Sequence, residues 1–185
     1  MAARLGPDVI AFGRFKKQYE TAMTSPVPIT QPSDIAHLIA AVARSTEVGG
    51  LRKFLQLHRW KALAEYLQPV NHQAGDIVIN QGELDRKLFF VESGELQVDM
   101  YTPNGVVSLG AVGSGSVVGE GSFFSHLPRI ALVTASIECK VWVLTPEDFD
   151  RLSLANPSVA LAVSMGLGTL MATRTLDMSK RVAVL

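Results

Sequence analysis

Between residues 69 and 145 the chain is cut into short β-rich runs by turn residues, and that punctuation limits the possible folds more than any other feature. The runs are DIVIN, KLFFVES, ELQVDMY, VVSLG, ALVTAS and CKVWVLT. Gly75, Gly82, Gly94, Gly110, Gly113 and Gly115 fall between them, and Pro103-Asn104-Gly105 marks a hairpin tip. Evenly spaced short strands of this kind predict a sandwich, barrel or jelly roll. Helical texture lies on both sides, so the fold class is mainly β with flanking helices.

On the N-terminal side, DVIAFGRFKKQYETAM predicts an exposed helix and the three prolines of SPVPITQP a linker. Ser33 is placed as the N-cap of DIAHLIAAVARS, with Asp34 complementing the helix dipole. Gly49-Gly50 breaks that helix. LRKFLQLHRWKALAEYL then carries Leu51, Phe54, Leu55, Trp60, Leu63 and Leu67 near helical spacing, which predicts one further helix. On the C-terminal side, Thr145 caps PEDFDRL, with Pro146 at the first helical position and Asp148 three residues after the cap. Pro157 opens a final helix that fades near DMSKR.

The formal net charge is zero, but the zero is a sum. Residues 1–68 hold nine Lys/Arg against five Asp/Glu, and residues 69–185 hold eight against twelve. A basic helical arm thus precedes an acidic β unit. The balance does not suit a protein that wraps nucleic acid. A charged fraction of 18% with 48% apolar residues excludes global disorder. Cys139 is the single cysteine, so no intramolecular disulfide forms and a reducing cytoplasm is expected.

One segment carries chemistry: GSVVGEGSFFSHLPRIALV, residues 115–133. Gly119-Glu120-Gly121-Ser122 interrupts the strand pattern and leads into a short helical turn. Its free backbone N–H groups would suit an anion. Arg129 is the only Lys or Arg between Lys87 and Lys140, and its planar fork fits a phosphate or carboxylate. Glu120 would repel a phosphate unless it met something else, such as a sugar hydroxyl. A phosphate, a hydroxyl and an apolar base satisfy all three features. Spacing alone leaves another reading open, and favours it: Arg129 pairs with Glu120 to close the roll, with no ligand.

The segment resembles the phosphate-binding cassette of the cyclic-nucleotide-binding domain, the module of catabolite activator proteins, protein kinase A regulatory subunits and cyclic-nucleotide-gated channels. The matching positions are Gly115, Val118, Gly119-Glu120, Pro128-Arg129, Ala131 and Val133. Residues 74–98, with Gly75, Gln81-Gly82 and Ser93-Gly94, look like the family's opening strands. Trp60 to Leu67 looks like its first helix, and PEDFDRLSLANP like the helix after the last strand. The resemblance implies a β roll of the double-stranded β-helix or jelly-roll type over about residues 69–145. It divides the chain into an N-terminal helical extension (1–57), the domain (58–176, with C-terminal helices over 146–176) and a tail (177–185).

It also implies roles. Arg129 would hold the exocyclic phosphate, and Glu120 would accept from the ribose 2′-hydroxyl. Backbone groups around Gly119, Gly121, Ser122 and Ile130 would line the phosphate. The last helix would cover the base or form a dimer. Val118 stands where the family has an aromatic residue, and Gly121-Ser122 replaces a more usual Leu-Ala or Leu-Gly pair. Ile130 is bulkier than the family's small residue and has no hydroxyl. That tilts the expected ligand towards cAMP over cGMP and could narrow the pocket.

In the last helix, Ala160, Ser164, Gly168 and Ala172 form a small-residue stripe beside Val159, Val163, Leu167, Leu170 and Met171. Leu161 and Met165 add a third apolar row. A homodimer through residues 157–173 is expected, with docking of the chain's own N-terminal helices as the alternative. Gly166 and Gly168 allow a bend. The uncharged stretch 152–173 could span a bilayer by count, but Asn156-Pro157 and its small polar residues point to a buried helix. His37, His58, His72 and His126 are scattered, and no nucleophile–base pair or P-loop is readable, so neither a metal centre nor catalysis is expected. About a dozen residues follow Thr173, too few for a helix-turn-helix, so no DNA contact is expected.

The expected function is a cyclic-nucleotide sensor that signals through its terminal helices, with the basic N-terminal helices free to meet a protein partner. Two alternatives stand beside it. One is a ligand-free interaction or scaffolding domain with a degenerate pocket. The other is a fragment of a Crp/Fnr-type transcription regulator.

Overall fold

The computed structural model describes residues 35–45 and 51–182. The expected first helix, the proline-rich linker, the Ser33 cap and the Gly49-Gly50 break lie outside the described residues.

Among the described residues, eight strands form two four-stranded antiparallel sheets, ordered β1-β8-β3-β6 and β2-β7-β4-β5. They run β1 Gln68–His72, β2 Ile77–Ile79, β3 Leu88–Ser93, β4 Glu95–Thr102, β5 Gly105–Gly113, β6 Val117–Val118, β7 Leu132–Ala135 and β8 Cys139–Leu144. The sheets close on an apolar core of Ile79, Phe89, Val91, Leu96, Val118, Val133, Ala135, Cys139, Val141 and Val143. Side chains alternate across a strand, so the other residues of β3 and β8 point away from this core. Leu88, Phe90, Trp142 and Leu144 enter a second core, shared with the helices. These two strands are therefore buried on both faces, which is why KLFFV and CKVWVL read as nearly continuous apolar runs.

Two strands go beyond the sequence reading. β1 contains Pro69 and pairs only with β8, at the edge of its sheet, the place where a proline costs no ladder hydrogen bond. β6 has two residues, paired to Phe89 and Phe90, too short for any period to show.

The helices are α1 Ala36–Arg44, a 3-10 turn Leu51–Lys53, α2 Leu57–Ala64, α3 Glu120–Ser125, α4 Pro146–Ala155 and α5 Pro157–Val182. The single helix expected over residues 51–67 is two pieces. Gln56 is extended at φ −75, ψ 166 and caps α2. Leu51 and Leu55 are each 3% exposed, and seating both in the core outweighs helix continuity in a stretch with no helix breaker. The Thr145 cap forms as read: its Oγ1 accepts from the Asp148 backbone N–H at 3.1 Å, with Pro146 at the helix start.

Ile35, Leu38, Val42, Leu51 and Leu55 share one core with Trp60, Leu63, Val159, Val163, Leu167 and Leu170. The chain's own N-terminal segments thus cover one face of α5. Gly166 is the seat of this contact: a Cβ there would lie 2.8 Å from Leu51 Cδ2. α5 continues through Gly166 and Gly168 as one helix. Its stretch Pro157–Asp177 is long and apolar enough to cross a membrane by composition, and one of its apolar faces packs into this core. Leu161 and Met165 remain 63% and 51% exposed.

Candidate ligand-binding site

The site is built where β6 ends. Gly119 takes φ +94 and starts the six-residue helix α3. Only glycine fits here, since a Cβ would lie 2.6 Å from the Lys87 carbonyl oxygen and 2.7 Å from Arg129 Nη1. α3 ends at His126, also left-handed at φ 59, and the chain then returns along residues 127–131 towards β7.

Arg129 lies at the centre and is 4% exposed. Its Nε donates to Asp85 Oδ1 at 2.7 Å, and its Nη2 donates to the Lys87 carbonyl at 2.6 Å. Its Nη1 donates to Ser122 Oγ at 2.7 Å and to the Gly119 carbonyl at 3.0 Å. The main chain is held as well: Arg129 N–H donates to Glu83 O and Gly82 N–H to Arg129 O, both at 2.8 Å. The Phe89 ring lies beneath the guanidinium, 5.9 Å from Cζ to centroid. The connection between β2 and β3 therefore wraps the arginine. Four of the five N–H donors of a guanidinium are engaged, and the buried charge meets a carboxylate.

Glu120 and Arg129 are not paired with one another. Glu120 forms an ion pair with Arg174 of α5, and Arg129 forms one with Asp85. The ion pair that spacing favoured is replaced by two, because β2–β3 and α5 each bring a residue that local sequence could not supply.

Gly119, Glu120, Gly121, Ser122, Arg129 and Ile130 line one cavity of about 360 Å³, within the usual range of about 300–1,000 Å³ for small-molecule sites. Ile79, Val98, Leu109 and Val133 supply apolar wall, and Arg174 and Asp177 reach it from the C-terminal part of α5. Ile130 is 71% exposed, so it stands at the rim and does not fill the interior. Val118 is 4% exposed, at once core and cavity wall. The cavity lining is more apolar than polar.

Asp85, Arg174 and Asp177 are site residues that the sequence did not mark. Asp85 sits in an ordinary charged turn, DRK, and Arg174 lies 54 positions from its partner Glu120. No local spacing links them to the cassette. A faint signal was the lone Arg129 itself, since an isolated buried cation needs a carboxylate somewhere.

The fold is a β roll with a cavity lined by a helix start, a buried arginine and the C-terminal part of α5. The sequence model of the cyclic nucleotide-binding domain matches residues 69–156. Among curated relatives, a cyclic nucleotide-gated potassium channel of Rhizobium etli is 35% identical over 94 residues, 51% of this chain and 25% of the channel. A cAMP-dependent protein kinase regulatory subunit of Yarrowia lipolytica is 37% identical over 90 residues, 49% of this chain and 24% of the subunit. The chain thus spans about a quarter of the length of these relatives. Among solved structures, a cyclic nucleotide-binding domain from Methylobacillus flagellatus superposes with a TM-score of 0.71 at 22% identity, covering 82% of this chain and 84% of that one. The Thermus thermophilus catabolite activator protein gives 0.62 at 26% identity, covering 72% and 62%.

Proposed function

We propose that the protein is a cytoplasmic, non-enzymatic cyclic-nucleotide sensor, with cAMP preferred over cGMP, that passes ligand binding to its terminal helices. The observation that carries this reading is the cavity itself: Glu120, Ser122 and Arg129 line about 360 Å³ of space together with the apolar side chains of Ile79, Val98, Leu109 and Val133, and Arg174 and Asp177 reach it from α5. In this reading the phosphate sits against Arg129 and the backbone of Gly119 to Ser122 and Ile130. The ribose hydroxyl meets Glu120, and the base lies along the apolar wall beneath α5. A hydroxyl arriving at Glu120 competes with Arg174. Ligand and covering helix are thereby linked through one carboxylate, and the ligand shifts whichever helix arrangement it binds better.

We further propose a homodimer through α5. Leu161, Met165, Gly168, Ala172 and Leu176 recur every three or four residues on its exposed side, the spacing of a two-helix seam. The face opposite is already filled by the chain's own Leu51 and neighbours. The basic side chains Arg44, Arg52, Lys53 and Lys61 are exposed on the N-terminal helices and suit an acidic protein partner. In this reading residues 1–57 act as the signalling extension of a domain spanning 58–176.

A ligand-free scaffold is the second reading. The engagement of Arg129 by four protein acceptors favours it, because a guanidinium so satisfied can serve structure alone. Calorimetry with cAMP and cGMP separates the two. Low-micromolar or tighter binding is expected, lost in Arg129→Ala and kept in part in Arg129→Lys. An absence of heat with both nucleotides, for a folded protein, overturns the sensor reading.

A further inference from the structure

Arg86, in the connection between β2 and β3, carries two local costs at once. It is a non-glycine residue in the left-handed region, at φ 53, a conformation that side chains other than glycine's disfavour. Its Nε is also buried with no hydrogen-bond partner. Costs of this kind persist where the surroundings enforce them, and an observed outlier is a reason to ask what it does.

Both neighbours of Arg86 hold Arg129: Asp85 reaches the guanidinium with a side-chain carboxylate and Lys87 with a main-chain carbonyl. The left-handed turn at Arg86 sets the direction of the peptide groups between them. The Arg86 side chain points elsewhere: its Nη2 donates to the Phe123 carbonyl at 2.9 Å. Phe123 belongs to α3, whose Ser122 holds the other side of Arg129. Glycine would adopt the same φ without strain, so what arginine adds is this tether.

We infer that Arg86 is a positioning residue for the phosphate subsite. Its backbone aims Asp85 and Lys87 at Arg129, and its side chain fastens that connection to α3, so that both walls around the guanidinium move together. The inference rests on the cyclic-nucleotide reading for its consequence, but its geometry is testable without any ligand.

The experiment compares the full chain with Arg86→Gly and Arg86→Lys by nitrogen-edited NMR of the Arg129 Nε–H and by calorimetry with cAMP. Arg86→Gly keeps the turn and removes the tether. The Arg129 Nε–H then exchanges with water at least several-fold faster, and cAMP affinity falls about tenfold, the equivalent of one charge-assisted hydrogen bond. Arg86→Lys, which keeps a donor towards Phe123, restores most of both, while thermal unfolding of the two variants stays close to that of the parent. Unchanged Arg129 exchange in Arg86→Gly overturns the inference, as does failure of lysine to rescue. If exchange responds as expected but the parent binds no cyclic nucleotide, the positioning role stands and the sensor reading falls.

Discussion

At the scale of single residues, the site depends on atoms that cannot be added or removed cheaply. Gly119→Ala places a methyl against the Lys87 carbonyl and the Arg129 guanidinium in a left-handed backbone. A loss of about 2–4 kcal/mol is expected from strain and overpacking, read as a lower denaturant midpoint with any cyclic-nucleotide binding reduced. Cys139 offers a pH test. Burial pushes its thiol above the ordinary value of 9.0, so the folded state holds the proton more tightly than the unfolded chain. The associated stability is complete below pH 9.0 and declines as the pH rises from there towards the folded value. Urea unfolding between neutral and alkaline pH should show this slope, and Cys139→Ala should flatten it. An unchanged slope in the variant would assign the loss to other groups.

At the scale of elements, α5 serves two surfaces with one sequence. Val159, Val163, Leu167 and Leu170 are each at most 5% exposed and pack inward, while Leu161, Met165 and Leu176 point outward. An all-round apolar helix is legible in sequence as one that needs more than one covering surface. Which residues face which surface was not. The small-residue stripe did not stay on one face: Ala160 is buried, whereas Gly168 and Ala172 are exposed, because four-residue steps drift around a helix of 3.6 residues per turn. Leu161→Arg with Met165→Arg should therefore convert a dimer to a monomer in sedimentation velocity and leave thermal unfolding of the protomer nearly unchanged, since both sites are exposed. A dimer that survives the double substitution removes α5 as its seam. Arg129→Ala, by contrast, leaves Asp85 and Ser122 without their cation. A stability loss of about 3 kcal/mol is expected, at the low end for a broken buried pair because Asp85 is partly exposed, alongside the loss of nucleotide binding.

At the scale of the whole molecule, two glycines seat the N-terminal helical segments, one against α5 and one against the roll. Gly166 receives Leu51, and Gly115, at the approach to the cassette, lies against α1: a Cβ there would sit 2.5 Å from the Ala41 carbonyl oxygen. A change at the cavity has a packed route to α1 through Gly115 and to α5 through the Glu120–Arg174 ion pair. Hydrogen exchange read by mass spectrometry should show cAMP slowing peptides over 119–131 and 170–177 together, with a smaller change over 51–55. Slowing confined to 119–131 would leave the nucleotide bound but the helices uninformed, and would overturn transmission through them.

The sequence by itself determined a mainly β unit of short strands, its hairpin tip, and the Thr145 and Pro157 helix starts, all through short-range rules of turn chemistry and capping. The choice of a β roll, and of the six residues from Gly119 to Ile130 that line its cavity, came from the resemblance of a cassette contained in about twenty residues. Only the tertiary structure decided that Arg129 pairs with Asp85 and Glu120 with Arg174, that residues 51–67 break into two pieces, and that one face of α5 is filled from within the chain. Those outcomes are set by burial and by charge partners 44 and 54 positions apart. At such separations, which carboxylate reaches a buried cation depends on how the sheets and helices close over it, and no local pattern records that closure.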